Sequence, residues 1–251
     1  MTMITTYDLA FGLGPACSCS QTLRKAGLQL LSFPYDWIGP HTDLYDRDVS
    51  RRTDQICNEF AGWFNPADFE PAGSSDQSGK DHYFNRRLQL IFLHDFIKGS
   101  SFEEAFPAVQ AKYRRRIARL LELIRQSRRV LLARVDRPDV PCRTPTEECL
   151  YARRRLMEKF APTVFDVVVL SHEEGRPFDQ LVEERPAEGV TRLRFDYDDR
   201  TPGAPSYQPV FALTAKALSD RFAVRDYRTP EEIAAHDRPV PFWRRLIGRR
   251  S

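Results

Sequence analysis

Cys17 arrives after an apolar run, Tyr7 to Leu13, and a break at Gly14-Pro15-Ala16. The residues beyond it, Ser18 to Gly27, read as a short helix that Ser18 or Ser20 caps and Gly27 stops. A cysteine at a strand-to-helix turn meets unpaired backbone N–H groups and the positive end of a helix dipole, and both favour a thiolate. Such a nucleophile needs a base. The chain has five histidines, and two of them, His94 and His172, stand where apolar runs end. His94 is the first choice to take the thiol proton and His172 the second, with an acid to orient the ring. Asp95 is one candidate acid, although neighbours in an extended strand point to opposite faces. Asp36 is therefore an equal candidate.

The elements that must position these groups follow from periodicity. Runs of strand length lie at Tyr7–Leu13, Leu88–Leu93, Val130–Val135, Phe165–Leu170 and Arg192–Tyr197. The first four are nearly continuous in apolar residues, as strands buried on both faces are; the fifth alternates and suits a place nearer the sheet edge. Helical spacing marks about Phe106 to Arg128, Pro145 to Phe160 and Gln208 to Phe222. Strand–helix alternation predicts a three-layer α/β fold, a largely parallel sheet with helices on both faces. In such sheets ligands bind beyond the carboxyl ends of the strands. Cys17, His94-Asp95, Asp136, Ser171-His172-Glu173 and Asp196, Asp198 and Asp199 would then share one edge. Residues 1–237 are expected to form a single domain, with a flexible loop at about 65–81.

A net charge of +3 over 251 residues argues against a nucleic-acid partner. The basic run Lys112 to Arg116 fits a solvated helix face. The five cysteines are irregularly spaced and complete no zinc motif, no glycine-rich phosphate loop is present, and neither metal nor cofactor is expected. With no signal segment and no membrane-length apolar run, the expectation is a cytoplasmic protein with free thiols. Residues 238–251 mix five arginines with Phe242, Trp243, Leu246 and Ile247, the composition of a weak membrane-surface contact.

Three blocks carry a family resemblance: Leu13-Gly14-Pro15-Ala16-Cys17, Leu23-Arg24-Lys25-Ala26-Gly27-Leu28 and Ser32-Phe33-Pro34-Tyr35-Asp36-Trp37. With His94-Asp95-Phe96 and the Lys112-Tyr113-x-Arg-Arg helix, they resemble a bacterial family labelled putative papain-like cysteine peptidase, with Tyr35 where Phe is usual. The resemblance implies a Cys–His thiol hydrolase with Cys17 as nucleophile, His94 as base and Asp36 or Asp95 as orienting group, acting on a peptide, ester or glycan. It also implies an α+β fold with an antiparallel sheet, at odds with the periodicity. The Gly-x-x-Cys turn is similar to the nucleophile turn of SGNH-type esterases and acyltransferases, with Cys for Ser. Two alternatives stand beside this reading. One is a binding or accessory protein that holds an anionic sugar or nucleotide through Arg134 and Arg137. The other is a glycosyltransferase-like enzyme using Asp136 or Glu173.

Overall fold

The computed structural model describes residues 4–40, 47–76, 78–139, 143–198 and 209–236. Its elements run β1 (Thr5–Tyr7), β2 (Leu9–Gly12), α1 (Ala16–Lys25), β3 (Ile38–Pro40), α2 (Asp48–Cys57), β4 (Phe69–Ser75), β5 (Lys80–Asn85) and β6 (Leu90–Ile97). They continue through α3 (Phe102–Gln126), β7 (Arg129–Val135), α4 (Thr146–Lys159), β8 (Val164–His172), β9 (Val182–Ala187) and β10 (Val190–Phe195). The chain then forms α5 (Phe211–Ser219), β11 (Phe222–Val224) and α6 (Pro230–His236).

The apolar runs become a five-stranded sheet in the order β2-β7-β8-β10-β9, parallel except for β9 at its edge. Alternate residues of one strand feed opposite cores. Val130 and Leu132 face the core shared with α2, α3 and α4, whereas Leu131, Ala133 and Val135 face the one with α1 and α5. Burial on both faces is why these strands read as continuous apolar runs. The predicted three-layer α/β architecture is present.

The periodicity misplaces one region. The run read as Leu88–Leu93 is the start of β6, which continues through His94 and Asp95 and belongs to a second sheet, β3-β6-β5-β4, antiparallel throughout. His94 and Asp95 therefore lie inside a strand and not at the shared edge of the parallel sheet. The segment at 65–81, expected to be a flexible loop, supplies β4 and the turn into β5. Its Pro, Gly and Ser residues pair along one hairpin with little burial, so they leave no apolar period to read. The apolar run Tyr7–Leu13 is also divided: Asp8 separates β1, which pairs with β11, from β2. The tail at 238–251, Asp199 and Cys142 lie outside the described residues.

Candidate functional site

The turn that carries Cys17 is built from both sides. Gly14 has φ +83, and a Cβ there would stand 2.9 Å from the Arg52 guanidinium carbon, so only glycine fits. Pro15 caps α1 without a side-chain bond, which leaves Cys17 in the first turn. Ser18 and Ser20, expected as caps, instead donate backwards to the Pro15 and Cys17 carbonyls. The helix ends as expected at Gly27 (φ +71), where Gly27 N–H donates to Arg24 O at 3.0 Å and Leu28 N–H to Leu23 O at 2.9 Å.

Beneath the turn lies a charged network closed to water. Arg52 is 0% and Arg134 2% exposed, with Asp48 at 3% between them. Asp48 accepts from Arg52 Nε at 2.8 Å and pairs with Arg134, whose Nη1 also donates to Leu13 O at 3.0 Å. Asp136 accepts from Thr144 Oγ1 at 2.5 Å and from Ser171 Oγ at 2.8 Å, and Arg192 donates to Ser171 Oγ at 2.8 Å. This network holds the strand ends and engages Arg134 and Asp136, two of the groups named for the binding and glycosyltransferase alternatives; Arg137 pairs with Asp139. Glu173 is likewise taken up, 2.7 Å from Arg176.

The two neighbouring cysteines of α1 differ in kind. Cys19 is 1% exposed, donates to Ala133 O at 3.3 Å, and burial pushes its thiol up to about 12. Cys17 is only half-buried, and its Sγ makes no side-chain hydrogen bond among the described residues. Burial raises its thiol above the usual 9.0, while its own backbone N–H, the Arg137 guanidinium and the Ser18 N–H pull the other way. The helix terminus thus opposes desolvation without overcoming it, contrary to the thiolate that the turn alone suggested.

The two histidines are set in opposite ways. His172 ends β8 on Cys17's own sheet; its Nδ1 lies 3.4 Å from Tyr197 N and 3.5 Å from Asp196. His94 projects from β6 into solvent and makes no hydrogen bond among the described residues; its ring meets the edge of Trp37 at 5.5 Å. Partial burial lowers its pKa from 6.5, with His82, Lys80 and Lys112 adding to the effect and Asp95 opposing it. A chain of contacts runs from this ring to the backbone of the Cys17 turn. Ser20 Oγ bridges Cys17 O at 3.1 Å and Asp36 O at 2.8 Å, and Asp36 precedes Trp37.

Neither candidate acid touches a histidine. Asp36 is buried and spent on its own loop: it accepts from Gln29 Nε2 at 2.8 Å, Arg24 Nη2 at 2.9 Å and Phe33 N at 3.0 Å. Asp95 points to the other face of β6, as adjacent strand residues must, and pairs with Lys112 and the Tyr113 hydroxyl. Ser20 thus links the Cys17 backbone to the Asp36–Trp37 segment, Trp37 meets His94, and Asp36 and Asp95 serve as braces. The sequence marks Ser20 only as a candidate helix cap and does not single out His82. Only the antiparallel pairing of β3 and β5 with β6 brings Trp37 and His82 beside His94.

A family model described as putative papain-like cysteine peptidase matches residues 8–175, a span that holds Cys17, Trp37, His94 and His172. No curated protein and no solved structure matches the chain. No helix among the described residues is long and apolar enough to cross a membrane.

Proposed function

The chain belongs to the family described as putative papain-like cysteine peptidase, and from this premise we propose that it is a cysteine-dependent acyl hydrolase or acyl transferase with Cys17 as nucleophile and His94 as base. One observation carries the reading. Ser20 Oγ bridges the Cys17 carbonyl, in the first turn of α1, to the Asp36 carbonyl one residue before Trp37, whose ring meets the His94 imidazole, and that imidazole makes no hydrogen bond among the described residues. A candidate histidine on an antiparallel sheet also agrees with the α+β arrangement that the family label implies.

His94, held below its ordinary pKa, is neutral near pH 7 and accepts the Cys17 proton as Sγ attacks an acyl carbonyl. The unpaired N–H groups of the first turn stabilise the oxyanion, Pro15 having none to give. His94 returns the proton to the leaving group, and water or another acceptor releases the thioester. The resting ring lies against Trp37 and swings to Cys17 when substrate enters, as catalytic hydrogen bonds that are open in the free enzyme do. The substrate is a peptide or another acyl compound. A reducing, cytoplasmic compartment suits the free thiols of Cys17, Cys19, Cys57 and Cys149.

Alkylation by iodoacetamide, followed by peptide mass spectrometry, tests this. Cys17 is expected to react at least ~10-fold faster than Cys19, Cys57 or Cys149 at pH 7, and His94→Ala to slow it by a similar factor. Equal labelling of accessible cysteines, or no effect of His94→Ala, would sink the proposal. If only His172→Ala slows the reaction, the base is the His172–Asp196 pair.

A further inference from the structure

At the opposite edge of the parallel sheet the strand starts surround a cavity of about 690 Å³. Tyr7 precedes β2, Arg129 opens β7, Asp166 stands near the start of β8 and Val190 opens β10. With β8 running from Val164 to His172, the two edges lie roughly 26 Å apart at about 3.3 Å per residue. The cavity is therefore separate from the Cys17 turn, and what it binds does not depend on the reading of Cys17. Its volume is in the range of small-molecule sites.

The lining is unbalanced in charge. Five arginines (128, 129, 153, 185 and 221) face three carboxylates, Asp166, Glu183 and Glu188. Asp166 is taken by Arg129 at 2.6 Å and by the Tyr7 hydroxyl at 3.0 Å, and Glu188 by Arg153 at 3.3 Å. Glu183 must serve both Arg185 at 3.1 Å and Arg221 at 2.9 Å. The Arg128 guanidinium has no carboxylate within 4.0 Å among the described residues. Two positive charges are left over, one at Arg128 and one shared around Glu183. The floor between them is apolar: Leu131, Val167, Val190 and Phe222 line it, and Tyr7 lies there under the Arg129 guanidinium at 4.9 Å.

We propose that this cavity binds a small phosphate monoester bearing a planar apolar group, of the nucleoside monophosphate class. A phosphate monoester carries close to two negative charges at pH 7, which matches the excess, and guanidinium forks suit its oxygens. The planar group lies on the floor beside Tyr7 and Phe222.

Isothermal titration of the full chain with AMP, adenosine and inorganic phosphate tests it. AMP is expected to bind at least ~10-fold more tightly than either fragment, because each engages half of the cavity. The double variant Arg128→Ala/Arg185→Ala removes the two excess charges on exposed side chains and should weaken AMP at least ~10-fold. A charge-matched control, Lys25→Ala/Arg115→Ala, should stay within ~2-fold. Should the double variant fail to melt cooperatively, Arg128→Ala and Arg185→Ala are read singly for the same direction. AMP should leave the alkylation rate of Cys17 unchanged. Absence of AMP binding at millimolar concentration, equal losses in double variant and control, or fragments as tight as AMP would each overturn the proposal. So would protection of Cys17 by AMP with full affinity in the double variant, which would place the ligand at the other edge.

Discussion

The two larger sheets handle polar groups in opposite ways, and each carries one of the two candidate histidines. At the carboxyl edge of the parallel sheet the buried charges pair with one another, although Arg52 Nη1 makes no hydrogen bond among the described residues. Asp48, Arg52, Arg134 and Asp136 are closed off from water, and His172 is pinned by Tyr197 N and Asp196. The antiparallel sheet buries one face and leaves the other wet, so His94 stands in solvent while Asp95, its neighbour in sequence, anchors α3 through Lys112 and Tyr113. The parallel sheet thus provides a rigid seat for the Cys17 turn, and the antiparallel sheet provides an imidazole free to move. Under the proposed mechanism the thiol would use the first property and its base the second.

Removing one carboxylate from each sheet tests the difference in rigidity. Asp48→Ala leaves Arg52 and Arg134 buried without their shared anion and should cost about 3–5 kcal/mol of stability in urea denaturation. Asp95→Ala strips a partner from Lys112, which reaches water, and from Tyr113, and should cost about 1–3 kcal/mol. Equal costs would erase the distinction between the sheets.

A smaller effect separates the histidines. In His94→Ala the alkylation rate of Cys17 should keep climbing past pH 9.0, because burial holds the unaided thiol above that value. In the wild type and in His172→Ala it should rise with deprotonation of His94, below pH 6.5. Superimposable profiles in all three proteins would remove His94 from the mechanism.

The smallest effect is on stability in mild acid. The folded pKa of His94 lies below 6.5, so just under that pH the unfolded chain binds more protons than the folded one. Stability therefore falls as pH drops through this window, and His94→Gln should make the urea midpoint fall less steeply there. An unchanged slope would mean that His94 titrates alike in both states.

Legibility followed burial. β7 and β8 were readable to within a residue or two because both faces are buried and nearly every side chain is apolar. The helix at 146–159 was readable from its acidic first turn and apolar period. β4 was not, because its residues are almost all exposed and a hairpin of Pro, Gly and Ser has the composition of a loop. At the site, Cys17 was legible from Gly14 and the helix that follows. Its thiol state was not, since desolvation depends on what packs around the turn.

The chain alone determined that a cysteine would stand at the start of a helix after a buried strand, because local sterics, Gly14 and the apolar period require no distant partner. It also determined that the central sheet would be parallel, through the alternation of strand and helix. Only the tertiary structure decided which cysteine is accessible, since Cys19 is sealed by Ala133, 114 residues away in sequence. It alone decided which histidine is free, since His172 is held by residues 24 and 25 positions later and His94 is set beside Trp37 by strand pairing. These outcomes depend on contacts between residues far apart in the chain, and no local pattern encodes such contacts.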